Sequence, residues 1–303
     1  MKVLVTGSTG FVGRWMVDEL TSTGHALAGA PGDRVEVTDA EAIAALVDKT
    51  RPDGVIHLAG VAFGPDARRD PATAARVNTG GTVLLLQAVA KLDQPPCVLV
   101  IGSSDVYGAP DPHDLPLSEM APTHPTSPYG RSKLGQEEAA LAAARAGSAR
   151  IAVTRSFNHT GPGQRAEFVA PALARRVLAA RDTHQPEIPV GNLDVRRDFG
   201  DVRDFVRAYR LILEGLAAGT IPTGSVLNVA TGRSVAIREV LATLADIAGV
   251  RFRPYRDPAL IRGDDPPEIV GDASRLRDVT GWRPSIPLRR TLADLVASIE
   301  AGR

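Results

Sequence analysis

The chain has 303 residues, enough to bury roughly three quarters of its unfolded surface in one large domain or two unequal ones. Its 35 basic and 35 acidic residues cancel, which removes any net electrostatic case for nucleic acid or an anionic membrane, a local basic patch aside. Cys97 is the only cysteine, so an intrachain disulfide and a cysteine-cluster metal site are excluded. MKVLVTGSTGFVG is too short and glycine-broken for a signal peptide's apolar core, and no apolar run approaches the ~18 residues that span a bilayer, so a soluble, cytoplasmic protein is expected.

Lys2–Thr6 reads as a short apolar strand and Phe11–Leu20 as an amphipathic helix. Between them Gly7, Gly10 and Gly13 spell G-x-x-G-x-x-G. Glycines at that junction allow a tight turn and let backbone N–H groups approach a pyrophosphate at the helix's positive end; a plain tight turn is the alternative. His25–Ala30 and Arg34–Val37 read as two more strands. The stretch GAPGDR between and within them offers Asp33 for a ribose diol and Arg34 for a 2′-phosphate, so NAD and NADP both stay open. Thr38 and Glu41 form a capping box for a helix Ala40–Lys49. Gly54–Gly60 (GVIHLAG) and Cys97–Ser103 (CVLVIGS) are nearly unbroken apolar strands of the kind buried on both faces of a parallel sheet, with a long helix Thr73–Leu92 between them.

Residues 127–133, SPYGRSK, place Ser127 as N-cap and Pro128 in the first turn of another helix. Tyr129 and Lys133 then stand at i and i+4 on one face. A positive charge beside a phenol lowers its pKa of about 10, so the pair could pass a proton to or from an oxygen; a surface Tyr and Lys at helical spacing is the bland alternative. Only Lys2, Lys49, Lys91 and Lys133 are lysines in an arginine-rich chain, which makes chance placement of Lys133 beside Tyr129 less credible. A strand Arg150–Arg155 completes six strand–helix alternations, an α/β pattern with a doubly wound parallel sheet.

Beyond Asn158 the rhythm changes. Helices are expected at Phe168–Arg181, Val202–Leu216, Ala236–Ala248 and Thr291–Ile299, with one strand at Val226–Val229. Residues 1–158 are read as a dinucleotide-binding domain receiving some later segments, and 159–303 mainly as a smaller substrate-binding lobe. His57 lies in an apolar strand and reads as a satisfied core histidine; His113, His124 and His184 are isolated, and no His/Asp/Glu cluster has metal spacing. His159, beside Asn158 in a glycine-rich loop, is expected to line a cleft.

The glycine loop, Tyr129-x-x-x-Lys133 and the upstream IGSSDVYG together resemble the extended short-chain dehydrogenase/reductase family, with its Rossmann-type sheet, from about Lys2 to Ile299. The resemblance implies that Ser103 bonds the reacting oxygen, Tyr129 is the general acid/base, and Lys133 lowers its pKa while binding the nicotinamide ribose of NAD or NADP. It places cofactor contacts at Gly7, Thr9, Gly10, Phe11, Val12 and Gly13. Further contacts fall at Arg34, Glu36 and Val37, then Leu58, Ala59, Gly60 and Asn78. Glu36 stands where the family commonly has Asp, and Gly60 where many members have Ala.

RSFNHTGPGQRAEFV, VGNLDVRRDFGDVRD, NVATGRSVAIREVL and DPPEIVGDASRLRDVTGWRPSIPL resemble the GDP-mannose 4,6-dehydratase branch, and most of all its GDP-4-keto-6-deoxy-D-mannose reductases, which make GDP-D-rhamnose. That likeness implies a nucleotide sugar held by Ser104, Asn158, Phe168 and Val169 on one side and Asn192, Arg197, Arg262 and Asp265 on the other. Guanidinium forks suit the diphosphate, and Asp265 suits ribose hydroxyls. A 4,6-dehydratase is the nearest alternative, and those enzymes use Glu where this chain has the shorter Asp105. A 4-epimerase is weaker. A non-catalytic dinucleotide sensor would typically lose the Tyr or Lys. The family also implies a homodimer formed through its two long helices.

Overall fold

The computed structural model describes residues 1–29, 35–261 and 265–302. Its strands are β1 (Lys2–Thr6), β2 (Ala26–Leu27), β3 (Gly54–His57), β4 (Cys97–Ile101), β5 (Arg150–Ser156) and β6 (Asn158–Thr160), then β7 (Glu187–Val190), β8 (Arg196–Asp201), β9 (Ser225–Val229), β10 (Ser234–Ala236), β11 (Arg253–Arg256) and β12 (Glu268–Ile269). One large sheet runs β2-β1-β3-β4-β5-β9, and every pairing in it is parallel. Parallel neighbours need long crossovers, and the helices between strands supply them.

The strand side chains alternate between two cores, as a period of two requires. From β1 and β4, Val3, Val5, Leu99 and Ile101 pack on the side of helix Val202–Ala218. Leu4, Val98 and Val100 point the other way, toward helices Ala40–Thr50, Gly81–Val89 and Pro128–Arg145. Burying a Val, Leu or Ile fully contributes about 1.5–3 kcal/mol, so a sheet covered on both faces explains the unbroken apolar runs. A third core, with Val177, Leu178, Leu241, Leu244 and Leu295, belongs to helices Val169–Thr183, Ile237–Ala248 and Leu288–Ala301. Beside it lie the sheet β10-β8-β12, with β6 paired to β8, and the pair β11-β7.

The chain leaves β1 for β2 on one side and returns to β3 on the other. Strand order therefore reverses between β1 and β3, and the crevice beyond their carboxyl ends is where open α/β sheets bind ligands.

Several sequence expectations are corrected here. Only Ala26–Leu27 of the strand expected over His25–Ala30 is paired, and Ala30 lies outside the described residues. Val35–Val37 form no strand, and Arg34 lies outside the described residues. The cap of helix Ala40–Thr50 is Asp39, whose carboxylate accepts from Glu41 and Ala42 N–H at 3.1 and 3.0 Å, while Thr38 accepts from Arg76 instead. The long helix is helical over Pro71–Val89 but carries a π-helical turn at Arg76–Gly80. The second half holds more strands than the one expected at Val226–Val229, because strands of two to four residues owe their pairing to neighbours rather than to local pattern.

Candidate active site

A cleft of about 1850 Å³ opens at the carboxyl ends of β1, β3 and β4 and continues toward the second lobe. Its floor is the glycine loop. Gly7 has φ +74, and a Cβ there would stand 2.8 Å from the Ala59 nitrogen across the β1/β3 crevice. A Cβ on Gly13 would fall 2.1 Å from the Gly7 carbonyl oxygen. Gly10 caps helix Phe11–Ser22 with no side-chain hydrogen bond, and no acidic residue occupies the first turn. Bare N–H groups at a positive helix end, approached by a loop without Cβ atoms, fit a dinucleotide pyrophosphate.

Of the sequence candidates, Gly7, Thr9, Gly10, Phe11, Val12 and Gly13 line this floor. Glu36, Val37, Leu58, Ala59 and Gly60 form the walls beside it. Arg14, Arg68 and Arg69 stand on the same walls, so an acid for a ribose diol and cations for a 2′-phosphate are both within the cleft. Sequence reading missed those three arginines. Asn78 lies behind the wall, fully buried. Its amide accepts from Val61 N–H (2.8 Å) and donates to the Val61 carbonyl and Ser132 (3.1 and 2.9 Å), so it braces the loop after β3.

The reacting corner forms where β4 ends. Ser103 N-caps the short turn Ser104–Val106 by accepting from Asp105 N–H at 3.2 Å, which fixes its hydroxyl at the strand mouth. Across from it, Ser127 accepts from Gly130 N–H at 2.9 Å and Pro128 opens helix Pro128–Arg145, as the sequence implies. That cap directs Tyr129 into the cleft, which Ser103 lines with it. Loss of water pushes the phenol's pKa above its ordinary value, and the Asp105 carboxylate pushes the same way, with the Ser103 hydroxyl opposing both.

Lys133 bonds away from the phenol. Its buried Nζ donates to the Ile101 carbonyl at 2.9 Å and to Gln136 Oε1 at 2.8 Å. Burial lowers its pKa to about 8. The influences that raise the Tyr129 pKa are led by desolvation and Asp105, against the acidification expected from Lys133. Asp105 itself is exposed at the edge of the corner.

His159 lines the cleft beside Phe11 (ring centroids 6.4 Å) and Phe205 (4.7 Å). Its Nδ1–H donates to the Phe157 carbonyl at 3.0 Å, and burial lowers its pKa, so a neutral ring offers Nε2 as an acceptor. Tyr209, which also lines this region, bonds Ser156 at 2.8 Å.

Toward the second lobe, Ser104, Asn158, Phe168, Val169, Asn192 and Arg197 line the cleft with Asp265. Arg197 Nη1 donates to the carbonyls of Arg196 and Pro266 (2.8 and 2.9 Å), and Nη2 lies 3.4 Å from Asp265. The two expected ligand residues are therefore partners of one another, with the guanidinium anchored to the segment that carries Asp265. Arg262 lies outside the described residues. Phe63, unmarked in sequence, meets Phe168 at 5.0 Å, and Arg165 covers Phe63 at 5.3 Å while pairing with Asp66 at 3.2 Å.

Among the described residues no helix is long and apolar enough to cross a membrane, and no group of three or more His, Cys, Asp or Glu is placed to hold a metal.

Comparison with known proteins gives the same picture from outside. GDP-6-deoxy-D-mannose reductase of Pseudomonas aeruginosa is 38% identical over 99% of this chain and 97% of its own length. GDP-6-deoxy-D-talose 4-dehydrogenase of Aggregatibacter actinomycetemcomitans is 30% identical over 93% of this chain and 92% of its own. The solved structure of RMD from Pseudomonas aeruginosa complexed with NADPH superposes with a TM-score of 0.92 at 36% identity, covering 100% of this chain and 99% of that one. The model of the NAD dependent epimerase/dehydratase family matches residues 3–230. With its glycine cradle at the β1/β3 crevice and a Ser–Tyr corner at the mouth of β4, this chain belongs to the NAD dependent epimerase/dehydratase family and is an NAD(P)-dependent oxidoreductase of the extended short-chain dehydrogenase/reductase type.

Proposed function

We propose that this enzyme reduces a GDP-linked 4-keto-6-deoxyhexose with NADPH or NADH, taking GDP-4-keto-6-deoxy-D-mannose to GDP-D-rhamnose. The observation that carries the reading is the Ser103–Tyr129 corner lining a cleft that joins a dinucleotide cradle to a pocket with an Arg–Asp pair. The full-length likeness to GDP-6-deoxy-D-mannose reductase supports it.

When bound, the nicotinamide supplies a hydride for the C4 ketone. Ser103 donates a hydrogen bond to the ketone oxygen, its position set by the turn it caps. Tyr129 gives that oxygen the proton it needs as negative charge develops, a role typically worth about 10²- to 10⁴-fold in rate. A phenol held above its usual pKa is fully protonated at neutral pH and ready to donate. Lys133 would hold cofactor ribose hydroxyls with the donor it does not spend on Ile101 and Gln136. Gly7, Gly10 and Gly13 would seat the pyrophosphate, and Glu36 and the cleft arginines would meet the adenosine end.

Arg197 would bind the diphosphate, presented by its bonds to Arg196 and Pro266, and Asp265 would accept from ribose hydroxyls. Asn158, Phe168, Val169, Asn192 and Ser104 surround the nucleotide sugar. Residues 1–158 serve mainly the dinucleotide and 159–303 mainly the substrate, although β9 and helix Val202–Ala218 pack with the first part. The working form is read as a cytoplasmic homodimer, paired through helices Gly81–Val89 and Pro128–Arg145. The test is to mix the protein with the 4-keto sugar and each reduced cofactor in turn. Loss of reduced-cofactor absorbance with at least one is expected, and none with either defeats the proposal.

A further inference from the structure

Behind the cleft, four polar side chains that the chemistry above does not use are buried together: Thr6, His57, Thr82 and Gln136. Their hydrogen bonds converge on Thr82. The Lys133 ammonium can only donate, so Gln136 must turn its oxygen to it, at 2.8 Å. The Gln136 amide then donates to Thr82 Oγ1 at 3.0 Å. Thr82 gives its single proton to the Asn78 carbonyl at 2.7 Å, so it also accepts from His57 Nε2–H at 2.9 Å. His57 Nδ1 is left as an acceptor, filled by the Thr6 hydroxyl at 2.7 Å. Each bond in this network has a fixed direction, and Lys133 sits at one end.

We propose that Gln136, braced by Thr82 and His57, is a positioning residue that fixes the Lys133 amine and keeps it charged. The proposal rests on the reading of Lys133 as the cation on the cofactor side. Burial opposes charge on that amine, and the Gln136 oxygen and the Ile101 carbonyl are the two acceptors its ammonium reaches. The titratable groups around it come from every packed element. His57 approaches from β3, fully buried and held neutral by burial first and by the Lys133 charge second. Tyr129 lies one turn back on the same helix, with Asp105 beyond it on the turn after β4. Glu137, next to Gln136, spends its charge on Arg155 of β5 at 2.6 Å. The facing helix presents the neutral Asn78, Thr79 and Thr82. With the neighbouring acid already paired, the carboxamide is the nearest group that can tune the amine.

The chain has four lysines, so carbon-13 at lysine Cε gives a spectrum simple enough to titrate Lys133 directly in the protein without cofactor, its signal assigned by Lys133→Arg. Gln136→Met keeps the length and removes the acceptor, so the Lys133 midpoint should fall by about one pH unit, the size of one hydrogen bond to a charged group. Gln136→Glu adds a negative charge and should raise the midpoint by at least as much. A midpoint unmoved in either folded variant overturns the proposal, and if the Met variant does not fold, the Glu variant decides. The activity profile separates this from the functional reading. If the wild type consumes no reduced cofactor while the midpoint moves, the positioning role stands and the reductase reading fails. If it consumes cofactor while the midpoint stays, the reverse holds.

Discussion

The helix that carries Tyr129 and Lys133 is tied to β5 by a buried ion pair, and cutting one side of it is the sharpest test of what holds the corner in place. Arg155 meets Glu137 through two bonds, 2.6 and 3.0 Å, with side chains 8% and 5% exposed. The same guanidinium donates to the Glu119 carbonyl at 3.1 Å and lies 4.8 Å over the Tyr107 ring. Arg155→Met leaves the Glu137 carboxylate buried without its partner, which costs about 3–5 kcal/mol, a large share of the ~5–15 kcal/mol that stabilises a typical protein. Glu137→Leu strands the arginine in the same way. Glu137→Leu with Arg155→Met removes both charges, and apolar pairs in such places often match the ion pair they replace. Urea unfolding of the four proteins should therefore show costly singles and a double well above their sum, with a coupling of at least about 2 kcal/mol. A cost below about 1 kcal/mol for Arg155→Met, or a double equal to the sum of its singles, would refute the reasoning.

Tyr129→Phe should fold and bind cofactor within about threefold of wild type while losing about 10²- to 10⁴-fold in kcat, measured by steady-state cofactor oxidation and titration. Arg197→Ala should weaken GDP about tenfold or more by calorimetry while sparing NADPH, since it loses a charge-assisted contact and loosens the Asp265 segment. His57 has its pKa lowered from 6.5 to about 3 by burial, so the folded state takes up no proton at mild acidity while the unfolded chain does. Its contribution is fully present above pH 6.5 and is lost as pH falls toward 3, about 2 kcal/mol by pH 5. His57→Gln should flatten the acid limb of the urea midpoint against pH by that amount.

What the sequence disclosed depended on how local each cause was. Strand Lys2–Thr6 and the Ser127–Pro128 helix start follow from adjacent residues and stand where expected. The same local logic chose Thr38 over Asp39 as a cap, since both can fill the role and only the chain's path decides. Short strands such as β10 and β12 exist because β8 lies between them, which no local pattern records. Tyr129 and Ser103 were legible as a pair through family spacing, but the direction of the tyrosine's pKa was not. It depends on desolvation and on Asp105, both set by the fold. Gln136 meets Thr82, 54 positions away, and His57 meets Thr6, 51 away, so that network had no sequence signal beyond a polar residue inside an apolar run.

The most direct test of the proposed activity is a balance of cofactor against sugar. A reductase leaves the hydride on C4, so GDP-4-keto-6-deoxy-D-mannose should consume NADPH or NADH mole for mole. GDP-mannose should be inert, because Asp105 is one methylene shorter than the glutamate that dehydration uses. Asp105→Asn should retain appreciable reduction, since Ser103, Tyr129 and Lys133 remain. Conversion of GDP-mannose to a 4-keto product by the purified protein, with no reductant added, would contradict the reductase reading and put a dehydratase in its place.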